Sequence, residues 1–153
     1  MELSHRTVVL FHASLDRLKE SRSAFENHDY TLAMYLGGVA VECVLQAIAL
    51  RSGSQHDARH DLTKWLEKCP QSLQNSIKGK SAGAWSLLLA IWDNGLRYLS
   101  EQGTLGYLRQ KKANRGISGG PRAIIRENAR RLITAADIIH NEGVAQWVSS
   151  TKK

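Results

Sequence analysis

Several residues in this sequence are of a type and spacing that could do chemistry. His140 lies near the end of the last apolar repeat. An imidazole there can act as a general acid or base near neutral pH, or can simply be a polar residue at a helix end. Between Arg109 and Arg131 lie eight basic residues, Arg109, Lys111, Lys112, Arg115, Arg122, Arg126, Arg130 and Arg131, opposed only by Glu127. The remaining basic and acidic groups balance, so the whole formal net charge of +7 sits in this one stretch. Such a segment attracts polyanions (RNA, DNA or an acidic protein face), or it serves only as a solubilising surface. Inside it, Gly116–Gly120 with its flanking arginines can cradle a phosphate at a helix N-terminus or act as a plain flexible connector. The GxxxxGK[ST] pattern is missing, which argues against nucleotide hydrolysis by a P-loop.

Glu42 poses a different problem, because it stands in an otherwise apolar run. A lone buried carboxylate is costly unless it is paired or protonated. Arg97 is the candidate partner, in an internal bridge or a dimer contact, and the pair is read as structural rather than catalytic. His56 and His60 are four apart and on a helix could share a face and bind zinc. The zincin motif needs glutamate in second place, however, and here it is Asp57. The segment also follows a helix stop and precedes an N-cap, so a loop with a capping turn is expected, with no metal and no cofactor. Trp65, Trp85, Trp92 and Trp147 could stack on bases, but Trp85 and Trp92 at helical spacing belong in a core. Trp147 is expected after the last helix, exposed or packed as a tail.

These residues must be positioned by helices. The first is expected to start after Ser4 as N-cap and to run to about Asn27, with Val8, Phe11, Leu15, Leu18 and Phe25 on its inner face. Asp29 can cap the second, which reaches about Arg51 and stops at Gly53. This helix is apolar nearly all round, through Leu32, Tyr35, Leu36, Val39, Val41, Val44, Ile48 and Leu50, so it should be buried on every side. Ala33, Gly37, Gly38 and Ala40 remove bulk, and a neighbouring helix could approach closely there. Asp61 should cap a short helix, Leu62–Cys69, ended by Pro70, with a further helical turn over Gln71–Gly79. A long helix over Ala82–Ser100 should carry Trp85, Leu88, Leu89, Trp92, Leu96 and Leu99 inward and be broken at Gly103–Gly106. A basic, glycine-punctuated linker, residues 109–120, leads to the last helix, opened by Pro121 and ending near Asn141–Gly143. Ile125, Ala129, Leu132, Ala136 and Ile139 form its core stripe, with Arg122, Arg126 and Arg130 along one flank. The chain should therefore be one domain over residues 1–153: an all-α, antiparallel up-and-down bundle of four to five main helices plus short ones.

At 153 residues the chain can bury a core without staples. Its two cysteines, Cys43 and Cys69, lack a CxxC spacing and suit a reduced, cytoplasmic setting. No signal peptide is expected at the start. Leu32–Leu50 is the sole candidate for a membrane span, but Glu42, Gln46 and Gly37–Gly38 interrupt it, and no membrane association is expected.

The second helix also carries a resemblance. Tyr30 and the run Tyr35-Leu36-Gly37-Gly38-Val39-Ala40-Val41-Glu42-Cys43-Val44-Leu45-Gln46-Ala47 resemble the "YLaGyavEcaLKA" helix of HEPN-domain proteins. His60-Asp61-Leu62 is similar to the "HDL" that follows it in many members, and Trp92 with Arg97-Tyr98 to the "W…RY" helix of one branch. The resemblance covers roughly residues 5–100 and, more loosely, the last helix. It implies a helical bundle that often dimerises and works in defence, stress or toxin–antitoxin modules, with an antitoxin or a nucleotidyltransferase as companion. It further implies that active members are metal-independent RNases, with four to six residues between an arginine and a following histidine in a late helix, brought together across a dimer. Here the sequence departs from the pattern. His140 would need arginine at 133, 134 or 135, where Ile133, Thr134 and Ala135 stand. The allowed spacing occurs elsewhere, in Arg6/His12, Arg22/His28 and Arg51/His56, but outside the family's position. The expectation is thus a homodimeric, non-catalytic HEPN-like protein that binds RNA or a partner through Arg109, Lys111, Lys112, Arg115, Arg122, Arg126 and Arg130. The alternative is an RNase with a rearranged site, in which His140 is the base and Arg126, Arg130 or Arg131 the cation.

Overall fold

The computed structural model describes residues 2–54 and 58–151, and side chains from residue 5 onward. Every regular element among them is helical: α1 (Glu2–Glu26), α2 (Tyr30–Arg51), α3 (Leu62–Glu67), α4 (Gln71–Lys78), α5 (Ala82–Ile91), a 3-10 turn (Asn94–Tyr98), α6 (Glu101–Gln110) and α7 (Pro121–Thr151).

α2 is the axis of the bundle. Asp29 caps it by accepting from the Leu32 amide, and Gly53 ends it in the left-handed region at φ 95°. Ala33, Met34, Ala40, Val41, Val44 and Leu45 are fully enclosed, each larger side chain contributing roughly 1.5–3 kcal/mol by leaving water. α2 is long and apolar enough to cross a bilayer by composition, but most of it is buried against α1, α3, α7 and the 3-10 turn, Leu32 at its start being left 41% exposed instead of buried on every side. α1 runs antiparallel to α2, with Ser21 Oγ donating to the Ala33 carbonyl at 2.6 Å. α7 runs alongside α2 in the same direction. Its Arg122 lies by Tyr30, Leu132 against Gly37, Gly143 against Val44 and Trp147 under Arg51. The elements α3 to α6 return the chain so that α7 can begin where α2 began.

Several local expectations are corrected, each for a packing reason. α1 is already helical at Glu2. Its buried face is Thr7, Ser14, Leu18, Ser21 and Ala24, while Val8 and Leu15 are 39% and 43% exposed. Small residues let α1 approach α2 closely, so the buried face is rotated away from the apolar repeat. The helix expected over Ala82–Ser100 ends at Ile91. Trp92 leaves it in an extended conformation and lays its indole where Gly38 has no side chain, a Cβ on Gly38 falling 1.9 Å from Trp92 Nε1. That nitrogen donates to the Tyr35 carbonyl at 3.1 Å, and Asp93 then caps the 3-10 turn. Gly103 and Gly106 do not break a helix but lie within α6, which Ser100 caps. α7 continues past Asn141–Gly143 to Thr151, because Gly143 is the place where Val44 packs on the helix backbone. Trp147 is consequently helical and buried, stacked on Phe11 at 4.5 Å with the Arg51 guanidinium 3.4 Å from its ring centre. Residues Arg109 and Gln110 of the expected linker close α6. The following turn is tied to α7 by Asn128, whose Nδ2 donates to the Ala113 carbonyl at 3.0 Å.

Candidate functional site

The first three turns of α7 bury Ile124, Ile125, Asn128, Ala129 and Leu132. An inward stripe of that spacing leaves 122, 126 and 130 on the opposite flank, where all three arginines are exposed. Arg126, Arg130 and Arg131 meet Gly116, Ile117 and Ser118 of the preceding turn around a groove of about 420 Å³. Gly116 and Gly119 hold left-handed φ values of 76° and 109° there, which glycine adopts without strain.

The charges in this groove are not equally free. Glu127 accepts from Arg130 Nε and Nη2 at 2.9 and 2.7 Å and from Arg131 Nε at 3.0 Å. These two guanidiniums pull its carboxyl down to about 2. Arg122 is shared with Glu101 at 3.5 Å. Arg126 has no ion pair with any described residue. A second cleft, about 340 Å³, opens beyond Arg126 and is lined by His28, Tyr30, Arg122, Ala123 and Arg126. The two hollows share Ala123 and Arg126, so they form one cationic track along α7. Arg109, Lys111, Lys112 and Arg115 are exposed nearby without lining either hollow, and the Lys111 ammonium lies 5.7 Å from the Tyr107 ring centre. His28 enters the sequence reading only through the Arg22/His28 spacing and Tyr30 only through the second-helix resemblance, and neither points to this cleft. The one available hint is a histidine at the helix end, just before the Asp29 cap.

His140 is placed quite differently. It lies in the interior of α7, only 2% exposed, with Nε2 2.9 Å from Ser14 Oγ. Ser14 donates its single proton to the Phe11 carbonyl at 2.6 Å, so the imidazole is the donor to Ser14. With Asp137 one turn away the trio has the residue types of a Ser–His–Asp triad, but its serine proton is committed to backbone, and Ser14 and His140 are both buried. Burial lowers the His140 pKa, with Asp137 raising it and Arg22 lowering it. Arg22 in turn pairs with Asp137 across α1 and α7. Arg130 and Arg131 are ten and nine residues back along the same helix, roughly 15 and 13.5 Å by rise. One copy of the chain does not bring them to His140.

The Glu42–Arg97 pairing is also corrected. Glu42 takes its hydrogen bond from His60 Nδ1, at 3.0 and 3.2 Å to its two oxygens, reached by the turn that precedes the Asp61 cap of α3. Arg97 is carried outward by the 3-10 turn and stacks over Tyr98 at 4.5 Å. The His56 half of the His56/His60 pair lies outside the described residues. Cys43 and Cys69 are free thiols that burial pushes up to about 11, with Glu42 adding to the rise, and to about 12. They are correspondingly poor nucleophiles near neutral pH.

No curated protein and no solved structure matches the chain. The family model for the HEPN domain matches residues 8–147, from the first turns of α1 through Trp147. With match and helical architecture in agreement over nearly its whole length, the chain belongs to the HEPN-domain family.

Proposed function

We propose that this HEPN-domain protein is a non-catalytic RNA-binding component of a defence, stress or toxin–antitoxin module, working through the cationic track on α7. HEPN membership supports a nucleotide- or RNA-related role. The observation that carries the reading is the geometry of the track. Arg122, Arg126 and Arg130 stand on successive turns beside two joined hollows, a spacing suited to consecutive phosphates of a strand. The closed position of His140 weighs against cleavage by that residue. A reduced, cytoplasmic setting suits the two free thiols.

The same reading includes assembly as a homodimer, or with an antitoxin or nucleotidyltransferase partner. Two shallow apolar grooves flank α7, one formed with α1 around Phe25 and Ile133, the other with α5 around Leu87 and Ile138. Sedimentation equilibrium of the purified chain tests the homodimer, and a monomer at all concentrations removes it.

RNA binding is tested by titrating single-stranded RNA at several salt concentrations. Replacing Arg122, Arg126 and Arg130 with glutamine together should abolish most of the affinity and lower the salt slope by about three, roughly one per lost phosphate contact. An unchanged affinity and slope overturns the reading. Incubation of the same RNA with wild type and with His140→Ala tests catalysis; cleavage lost in the variant would restore the rearranged RNase.

A further inference from the structure

We propose that the cleft between the α1–α2 turn and the first turns of α7 is a phosphate-binding site in which His28 acts beside Arg122 and Arg126. It rests on the RNA reading only in that the two arginines serve both.

The composition of the cleft points to an anion. Two guanidiniums, an imidazole and the Tyr30 ring line about 340 Å³, and no carboxylate is among the lining side chains. Asp29 and Glu101 line the adjoining hollow, which shares His28 and Tyr30, and Glu127 lines the groove that shares Arg126 but is held by Arg130 and Arg131. Asp29 is occupied with the Leu32 amide, and Glu101 lies 3.5 Å from Arg122 Nε. Arginines one turn apart present two planar donor forks to the same space, a geometry that matches phosphate oxygens. The cleft opens beside the N-terminus of α7, whose peptide dipoles add positive potential. Its volume exceeds that of one phosphate and leaves room for an attached sugar.

The presentation of His28 is the second observation. Its backbone is left-handed, φ 62°, at the position after a helix where glycine is the usual occupant. A side chain is nevertheless kept there, and its ring is held. Nδ1 lies 2.8 Å from the Tyr30 hydroxyl, and Tyr30 is wedged between His28 and Phe25, at ring distances of 5.9 and 5.3 Å. With Nδ1 committed to Tyr30, Nε2 is the nitrogen left for a ligand. A polar side chain just after a helix C-terminus can also serve to cap it, and the variants below separate a binding role from a capping one.

The full-length chain is titrated with inorganic phosphate while His28 ring resonances and the thermal midpoint are followed. The expected results are a shift of those resonances and a rise of the midpoint in wild type. Both responses should be lost in Arg126→Gln, and the rise should be lost in His28→Gly and His28→Asn. Because glycine and asparagine accept a left-handed backbone, these two variants should melt no earlier than wild type without phosphate. In a second arm, 5′-phosphorylated and 5′-hydroxyl single-stranded RNA are compared. A preference for the phosphorylated strand assigns the cleft to a terminal phosphate, and equal binding weakened about tenfold by His28→Asn assigns it to a backbone phosphate. No phosphate response in wild type, or a full midpoint rise in His28→Gly, overturns the site. RNA binding that survives in that case leaves the RNA reading standing. A His28-dependent phosphate response without RNA binding supports the site and removes the RNA reading.

Discussion

α7 is one continuous helix with two different surroundings. From Leu132 to Trp147 its inner face, with Ala135, Ala136, Ile139, His140 and Gly143, is buried against the bundle, and the exposed positions Thr134, Ile138, Asn141 and Ala145 carry no charge. From Pro121 to Arg131 the inner stripe is buried in the same way, but the outer side presents Arg122, Arg126 and Arg130 to solvent. Each half is associated with a histidine. The C-terminal half encloses its own His140, bonded to Ser14, whereas the N-terminal half is faced by His28 from the α1–α2 turn, outside the helix, with its ring beside arginines. A residue's type therefore says little about its use until the surroundings are known: the imidazole best placed along the sequence is the one shut away.

The comparison can be tested most severely at the core. Gly38→Ala puts a methyl group into the Trp92 ring and should cost about 3 kcal/mol, as the indole is displaced and its bond to Tyr35 lost. Chemical denaturation measures this, and adding Trp92→Phe should recover part of the loss; additive losses would show that the two positions do not meet. A smaller effect is expected from pH. Burial holds the folded-state pKa of His140 below its ordinary 6.5, so the unfolded chain binds the proton more readily. Its contribution is therefore present above pH 6.5 and declines as pH falls through 6.5 towards the folded value. The carboxyls of Glu127 and Glu142, also depressed, add their losses only below about 4.5. His140→Gln should flatten the dependence of the unfolding midpoint on pH between neutrality and pH 5, and an unaltered slope would place the imidazole in solvent. The smallest effect belongs to the arginine-bearing half. Glu127→Gln releases Arg130 and Arg131, leaves the melting temperature almost unmoved, and should strengthen RNA binding a few-fold at low salt, most visibly in the association rate. Weaker binding would mean that Glu127 orders the arginines for their ligand.

Much of the architecture was legible because it follows from periodicity and caps. The all-round apolar pattern of α2, the Asp29 and Asp61 caps and the inner stripe of α7 all lie where spacing put them. The misjudged places are those where a distant contact overrides local pattern. Trp92 leaves its helix for a vacancy at Gly38, and Gly143 reads as a stop but is a contact with Val44. α1 hides a small, polar face that hydrophobicity alone would assign to solvent. The arginines of the track were readable as a cluster of charge, but the histidine beside them was not, since positions 28 and 122 share no local period. Glu42 was correctly seen to need a partner; which one was decided by the turn before α3.

The shared direction of α2 and α7 has a consequence for how the protein comes into being. Arg51 meets Trp147 across 96 positions of chain, and Ser14 meets His140 across 126. The α1–α2 hairpin can form early, from neighbouring segments, but the greasy wall that α7 will cover stays open until the final helix leaves the ribosome. Closing so long a loop is entropically slow, and for that interval the nascent chain is a natural client for chaperones. Translation halted before α7 therefore yields a sticky, unfinished hairpin that already carries His28 but lacks the arginines it faces.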